Sequence, residues 1–141
     1  MKGNNMLDLS KVNLSQAAEA GYEFELRIPG TMEPTGAFVT VRGEQSPTVK
    51  NYAKRKYQEF KMKEAAARRR GKEPEELTLD EAEELAVESA IVRIISWKGI
   101  TEGGKEVPFT KENAERILKE HTWIREQIME ESSQLLNFQS K

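Results

Sequence analysis

Hydrophobic and polar residues change their period several times along this chain, and each change predicts an element. Tyr22, Phe24, Leu26 and Ile28 alternate with Glu23, Glu25 and Arg27, the period of two expected of a strand with one buried face. Pro29-Gly30 ends that strand, because proline cannot donate to a ladder. After the turn-rich stretch Gly30–Gly36, Ala37–Arg42 resumes β-prone residues. The two runs predict a loose hairpin with a loop of about eight residues, which needs a helix on its apolar face to be stable. Upstream, Met1–Asn5 is polar and expected to fray. Leu7–Val12 reads as an extended lead-in, and Ser15–Gly21 as one helical turn stopped by Gly21.

The period then shifts to that of a helix. Ser46-Pro47 is a start signal, with serine as N-cap and proline at the first helical position. Val49, Tyr52, Ala53, Tyr57 and Phe60 follow at spacings of three and four and make one apolar stripe, with Lys50, Lys54, Lys61 and Lys63 mostly off it. The pattern continues to Arg70, where Gly71 and Pro74 stop it. Its second half loses the stripe and is expected to project from the core. Thr78-Leu79-Asp80-Glu81 is a capping box that opens a second helix. Asp80, Glu81, Glu83 and Glu84 suit the positive end of its dipole, and Ala82, Leu85, Ala86 and Ser89 form the expected buried face.

That helix runs into the densest aliphatic segment of the chain, Ile91-Val92 and Ile94-Ile95. Periodicity does not separate a buried helix from a strand there; the reading adopted is helix to about Ser96. Trp97–Thr110 must turn, punctuated by Gly99, Gly103, Gly104 and Pro108. Thr110 then caps a short helix packed through Ala114, Ile117 and Leu118. A break at His121-Thr122 leads to a last helix, capped by Thr122 and carrying Trp123, Ile124, Ile128 and Leu135. Residues 137–141 are read as tail, although Phe138 is a large apolar group to leave free.

The expected architecture is a single α+β domain over residues 1–141, with an N-terminal β-hairpin or small antiparallel sheet packed against a mainly helical C-terminal half. Its parts are a hairpin region (1–45), a basic helix (46–72), an acidic-capped helix (73–96), and a turn with two short helices and a tail (97–141). At 141 residues a chain buries roughly two-thirds of its unfolded surface. With 37% hydrophobic and 33% charged residues, that core must be compact. Cysteine is absent, which excludes disulfides, thiolate nucleophiles and cysteine-ligated metals and fits a reducing compartment. The apolar runs fall far short of the roughly 20 residues of a membrane span. Met1-Lys2 is not followed by an apolar secretory segment, so no signal peptide is expected. A soluble intracellular protein is the expectation.

Charge changes the picture by its distribution. The net is −2, yet Pro47–Lys72 carries ten Lys/Arg against Glu59 and Glu64, a net of +8, and Glu73–Glu88 carries eight acids and no base, a net of −8. The basic helix invites a nucleic-acid reading, with Lys54-Arg55-Lys56 and Arg68-Arg69-Arg70 on phosphates and Tyr52 and Tyr57 nearby. The adjacent acidic block would compete for the same cations, which makes nucleic acid the weaker alternative. Enzymatic chemistry finds no support. The one histidine, His121, sits at a helix junction with no sequence mark of a paired nucleophile. Neither phosphate-binding glycine motif is present, EF-hand spacing is absent, and the carboxylates of Glu73–Glu88 lie on a solvated helix start. No catalytic residue, metal or cofactor is expected.

Trp97-Lys98-Gly99-Ile100, Val107-Pro108-Phe109-Thr110, Asn113-Ala114, His121-Thr122-Trp123-Ile124 with Ile128, and the terminal Asn137-Phe138 together resemble the C-terminal half of the tail assembly chaperones of long-tailed bacteriophages. The segments Phe24–Thr31 and Gly36–Pro47 are similar to the front half of that family. The resemblance implies a non-enzymatic assembly factor in the host bacterial cytoplasm, absent from the finished particle. Such a factor binds the tape-measure protein, keeps it soluble and helps recruit tail-tube subunits. It would bind tape-measure helices through an apolar groove framed by Trp97, Phe109, Trp123 and Ile128, with core packing the alternative reading of each. The opposite charge blocks, with Arg68, Arg69, Arg70, Glu81 and Glu84 as candidate residues, suit self-association that salt weakens.

Overall fold

The computed structural model describes residues 6–139; the fraying expected of Met1–Asn5 lies outside them. The predicted hairpin is present as β1 (Tyr22–Arg27) and β2 (Pro34–Val41), paired antiparallel. Its connection is tighter than expected. The Ile28 amide donates to Glu33 O at 2.9 Å and the Met32 amide to Ile28 O at 2.8 Å, while the Thr35 hydroxyl donates to Leu26 O at 2.8 Å. Those bonds let pairing begin at Pro34 rather than Ala37.

A third strand corrects the sequence reading. The helix beginning at Leu79 stops at Arg93, and Ile94–Lys98 forms β3, which pairs antiparallel with β2 to give the sheet order β1-β2-β3. Arg42, fifty residues upstream, decides that boundary. Its Nη1 donates to the carbonyls of Val92 (3.0 Å) and Ile94 (3.3 Å), and its backbone N–H donates to Arg93 O at 2.6 Å. Carbonyls that a continuing helix would have used are satisfied by one arginine. Ile94 and Ile95 are β-branched and accept the extended conformation. Phe24, Val39 and Trp97 then stand side by side across the three strands.

Among the described residues, five α-helices complete the fold: α1 (Leu14–Ala20), α2 (Pro47–Arg69), α3 (Leu79–Arg93), α4 (Lys111–Glu120) and α5 (Thr122–Ser133). A two-stranded ribbon, β4 (Thr101–Glu102) with β5 (Lys105–Glu106), fills part of the turn region. The core lies between one sheet face and the helices α3, α4 and α5, with Leu26, Val39, Val41, Ala90, Leu118 and Ile128 among its least exposed members. On α3 the buried positions are Val87, Ala90 and Arg93 rather than the predicted Ala82, Leu85, Ala86 and Ser89. His121, not Thr122, is the N-cap of α5. The C-terminal tail docks: a 3-10 turn at Leu135–Phe138 buries Phe138 beside Ala18 and Tyr22, while Leu135 is exposed.

Two polar junctions fix these elements. Glu19 on α1 receives the Ser46 hydroxyl, the Thr48 hydroxyl (2.8 Å) and amide (3.2 Å), and Arg42 Nε (3.2 Å). It thereby places a carboxylate at the positive N-terminus of α2, as the dipole favours. Ser132 on α5 donates to Arg42 O at 2.7 Å and accepts the Glu44 amide through its carbonyl at 3.1 Å. The outer edge of β1 is closed by a side chain: Gln127 accepts from the Arg27 amide at 3.0 Å and donates to Arg27 O at 2.9 Å.

Candidate functional site

A groove of about 790 Å³ lies between α2, α3 and α4. Its floor is Tyr52, Val87, Ile91 and Val92. Helical periodicity sets its walls. Lys111, Glu115 and Lys119 lie four residues apart and share one face of α4, with Ala114, Ile117 and Leu118 on the core side. Glu84 and Glu88 rise from α3 on the same four-residue spacing, and Arg55 and Lys56 stand on α2.

At the centre, Glu88 accepts from the Tyr52 hydroxyl at 2.7 Å and from Lys56 Nζ at 2.8 Å. The bond from Lys56 holds the Glu88 carboxyl below its usual range, and the same bond raises the Lys56 ammonium. Burial, followed by the bond to Glu88, pushes the Tyr52 hydroxyl up. All three therefore keep their neutral-pH states, and the cluster ties α2 to α3. Glu84, Lys111, Glu115 and Lys119 have no ion-pair partner among the described residues. An apolar floor between charged walls suits an amphipathic helix whose own charges meet those groups.

A smaller cavity of about 250 Å³ lies where β1, β2 and the ribbon meet the α4–α5 junction. Leu26, Ala37, Ile117 and Ile124 make its floor, and His121 and Trp123 stand at its rim. Glu102, also on the rim, is held by Arg116 through two bonds of 2.9 and 2.8 Å, which keeps its carboxyl low. Gly99 shapes the same wall. Its φ is +82°, and a Cβ there would lie 2.5 Å from Gly36 O.

The four residues expected to frame an apolar groove do not converge on one. Trp97 is buried; it donates its indole N–H to Val107 O at 2.8 Å and meets the half-buried Phe109 edge-on at 5.0 Å. Ile128 is 0% exposed. Trp123 lines the smaller of the two cavities. The reason is the third strand: β3 turns Trp97 toward the core face it shares with Val39. Arg68, Arg69 and Arg70 are exposed at the end of α2, Glu81 is engaged in the capping box with Thr78, and Glu84 lines the large groove. Tyr57 and Phe60, expected on the packed stripe, are 62% and 56% exposed, because α2 meets the core only through Val49 and Tyr52. The groove residues Lys111, Glu115 and Lys119 were not singled out from sequence, although their spacing of four was the available signal.

Among the described residues there is no group of His, Asp or Glu arranged to hold a metal ion, and no helix long and apolar enough to cross a membrane. A family model described as YdaY prophage protein matches residues 45–141, well over half of the chain. The match runs from the start of α2 through every later element and leaves β1 and β2 outside it. No curated protein and no solved structure matches the chain.

Proposed function

The chain belongs to the YdaY prophage protein family and is of phage origin, and on that premise we propose that it is a non-enzymatic tail assembly chaperone. In this reading it binds helical segments of the tape-measure protein, keeps them soluble and helps recruit tail-tube subunits. It works in the host cytoplasm and is left out of the finished particle. The observation that supports this reading most is the groove between α2, α3 and α4, where an apolar floor lies between charged walls. A tape-measure helix would lay its apolar stripe over Val87, Ile91 and Val92. Its acidic flank would meet Arg55, Lys111 and Lys119, and its basic flank Glu84 and Glu115. The resemblance at Trp97–Thr110 and His121–Ile128 gives the same assignment independently of the groove.

The test is co-expression with the tape-measure protein of the same phage. The partner should become soluble and co-purify in a complex that survives moderate salt. Lys111→Glu with Lys119→Glu, both exposed, should weaken capture without changing the thermal midpoint, and Ile91→Asp should abolish it. A partner that stays insoluble beside well-folded wild-type chain refutes the proposal. The competing reading is nucleic-acid binding through the exposed cations of α2. It gains if the chain instead purifies with nucleic acid that salt strips away.

A further inference from the structure

None of residues 53–86 is buried. This stretch comprises α2 beyond Tyr52, the loop at 70–78 and the first two turns of α3, and it forms an arm that contributes nothing to the core. Large apolar groups nevertheless sit on it: Tyr57, Phe60, Met62, Leu77 and Leu79 are 56–90% exposed. The basic and acidic blocks occupy its two limbs, and few of their charges pair with one another. Lys56–Glu88 at 2.8 Å is the one ion pair between the blocks among the described residues; Lys61 and Arg68 pair with Glu64 inside the basic limb. The arm is thus a positive limb followed by a negative limb, with large apolar groups left mostly exposed to water.

We infer that this arm is a self-association surface whose occupant is a second copy of the same arm. An antiparallel arrangement about a two-fold axis sets the basic limb of each copy on the acidic limb of the other, so every contact occurs twice. It also removes water from the apolar groups that the monomer leaves uncovered. The outer part of α2 is about 25 Å long, so two limbs offer roughly 500 Å² per copy. The total of about 1,000 Å² lies at the low end for a specific interface. Such a dimer is reversible and salt-sensitive, since exposed charges are screened beyond about 8–10 Å at physiological ionic strength. Arg55, Lys56 and Glu84 belong both to this arm and to the groove wall. The positions varied to test it, 68–70 and 73–76, do not line the groove, so failure of this inference and failure of the tape-measure reading remain distinguishable.

Sedimentation equilibrium on the full chain tests it, at about 100 µM and at ionic strengths bracketing the physiological value. The wild type should weigh as a dimer at low salt and as a monomer at high salt. Arg68→Glu/Arg69→Glu/Arg70→Glu should be monomeric at low salt, and so should Glu73→Lys/Glu75→Lys/Glu76→Lys, whose positions lie in the loop. Mixing the two variants should restore a one-to-one heterodimer, which a merely damaged fold cannot do. A wild type that is monomeric at low salt overturns the inference. So does a dimer indifferent to salt and to both variants, or a monomer that instead retards a DNA duplex in a salt-dependent manner.

Discussion

Glu19 gives the sharpest test of how the N-terminal third is fastened to the matched region. Its carboxylate accepts from Ser46, from the hydroxyl and amide of Thr48, and from Arg42. The Ser46 bond, followed by that of Thr48, brings its pKa from the ordinary 4.5 to about 2. Fully shielded, that depression would correspond to about 3 kcal/mol at neutral pH. The side chain is 39% exposed, so solvent screening reduces the contribution to about 1 kcal/mol. Because the folded pKa lies below the unfolded one, the stabilisation is complete above pH 4.5 and is lost as pH falls from there toward 2. Glu19→Gln should therefore cost about 1 kcal/mol at neutral pH, and less than half of that near pH 3. Urea unfolding followed by tryptophan fluorescence reads both values, provided the m-value is the same for the two proteins. A penalty that is unchanged between neutral pH and pH 3 would refute the charge-based account and leave only the shape of the side chain.

Other predictions follow from the packing and the backbone. Ile128→Ala, at a position 0% exposed, should lower unfolding free energy by about 3 kcal/mol, measured in urea. Gly99→Ala and Gly104→Ala share φ +82°, but only the first places its Cβ 2.5 Å from Gly36 O. Both should cost about 1 kcal/mol for left-handed backbone, and Gly99→Ala markedly more; equal midpoints would show that β2 yields freely there. Gln127→Ala should raise hydrogen exchange at the Arg27 amide, which Gln127 alone covers on the β1 edge, while the Val39 amide stays protected.

Local chemistry was readable wherever both partners lie close in sequence. The Thr78–Glu81 capping box, the Ser46 and Thr110 caps, the alternation of β1 and the helix stop at Gly21 all depend on neighbours within four residues, and all are present. The reading failed where a distant group decides. Ile91–Ile95 is compatible with helix and strand alike; Arg42 ends the helix from fifty residues away, and β2 offers the edge on which β3 pairs. The misplaced boundary reached Trp97, because a Trp97 in a turn after the helix was free to face a groove, whereas in β3 it pairs beside Val39 and packs into the core. Tyr57 and Phe60 show the converse. Their spacing marks an amphipathic face, but no element of the domain reaches it, and spacing says nothing about whether a partner for a face lies in the same chain.

That unmet face makes a last prediction about dynamics. Opening free energy is set by what an element buries, and α2 changes character along its length: Val49 and Tyr52 are buried, and nothing beyond them is. In a monomer the outer helix is held by its own ladder, by Lys56–Glu88 and by contacts with α3, so it should fray inward from Arg69. Amides of Phe60–Arg69 should exchange far faster than those of Val39 and Val41 when measured by native-state hydrogen exchange at low protein concentration. Raising the concentration at low salt should slow the outer amides selectively, because a second copy covers them and leaves the sheet untouched. If Phe60–Arg69 were as protected as the sheet in dilute solution, the arm would be stabilised from within its own chain. Its exposed aromatic and aliphatic groups would then require no partner.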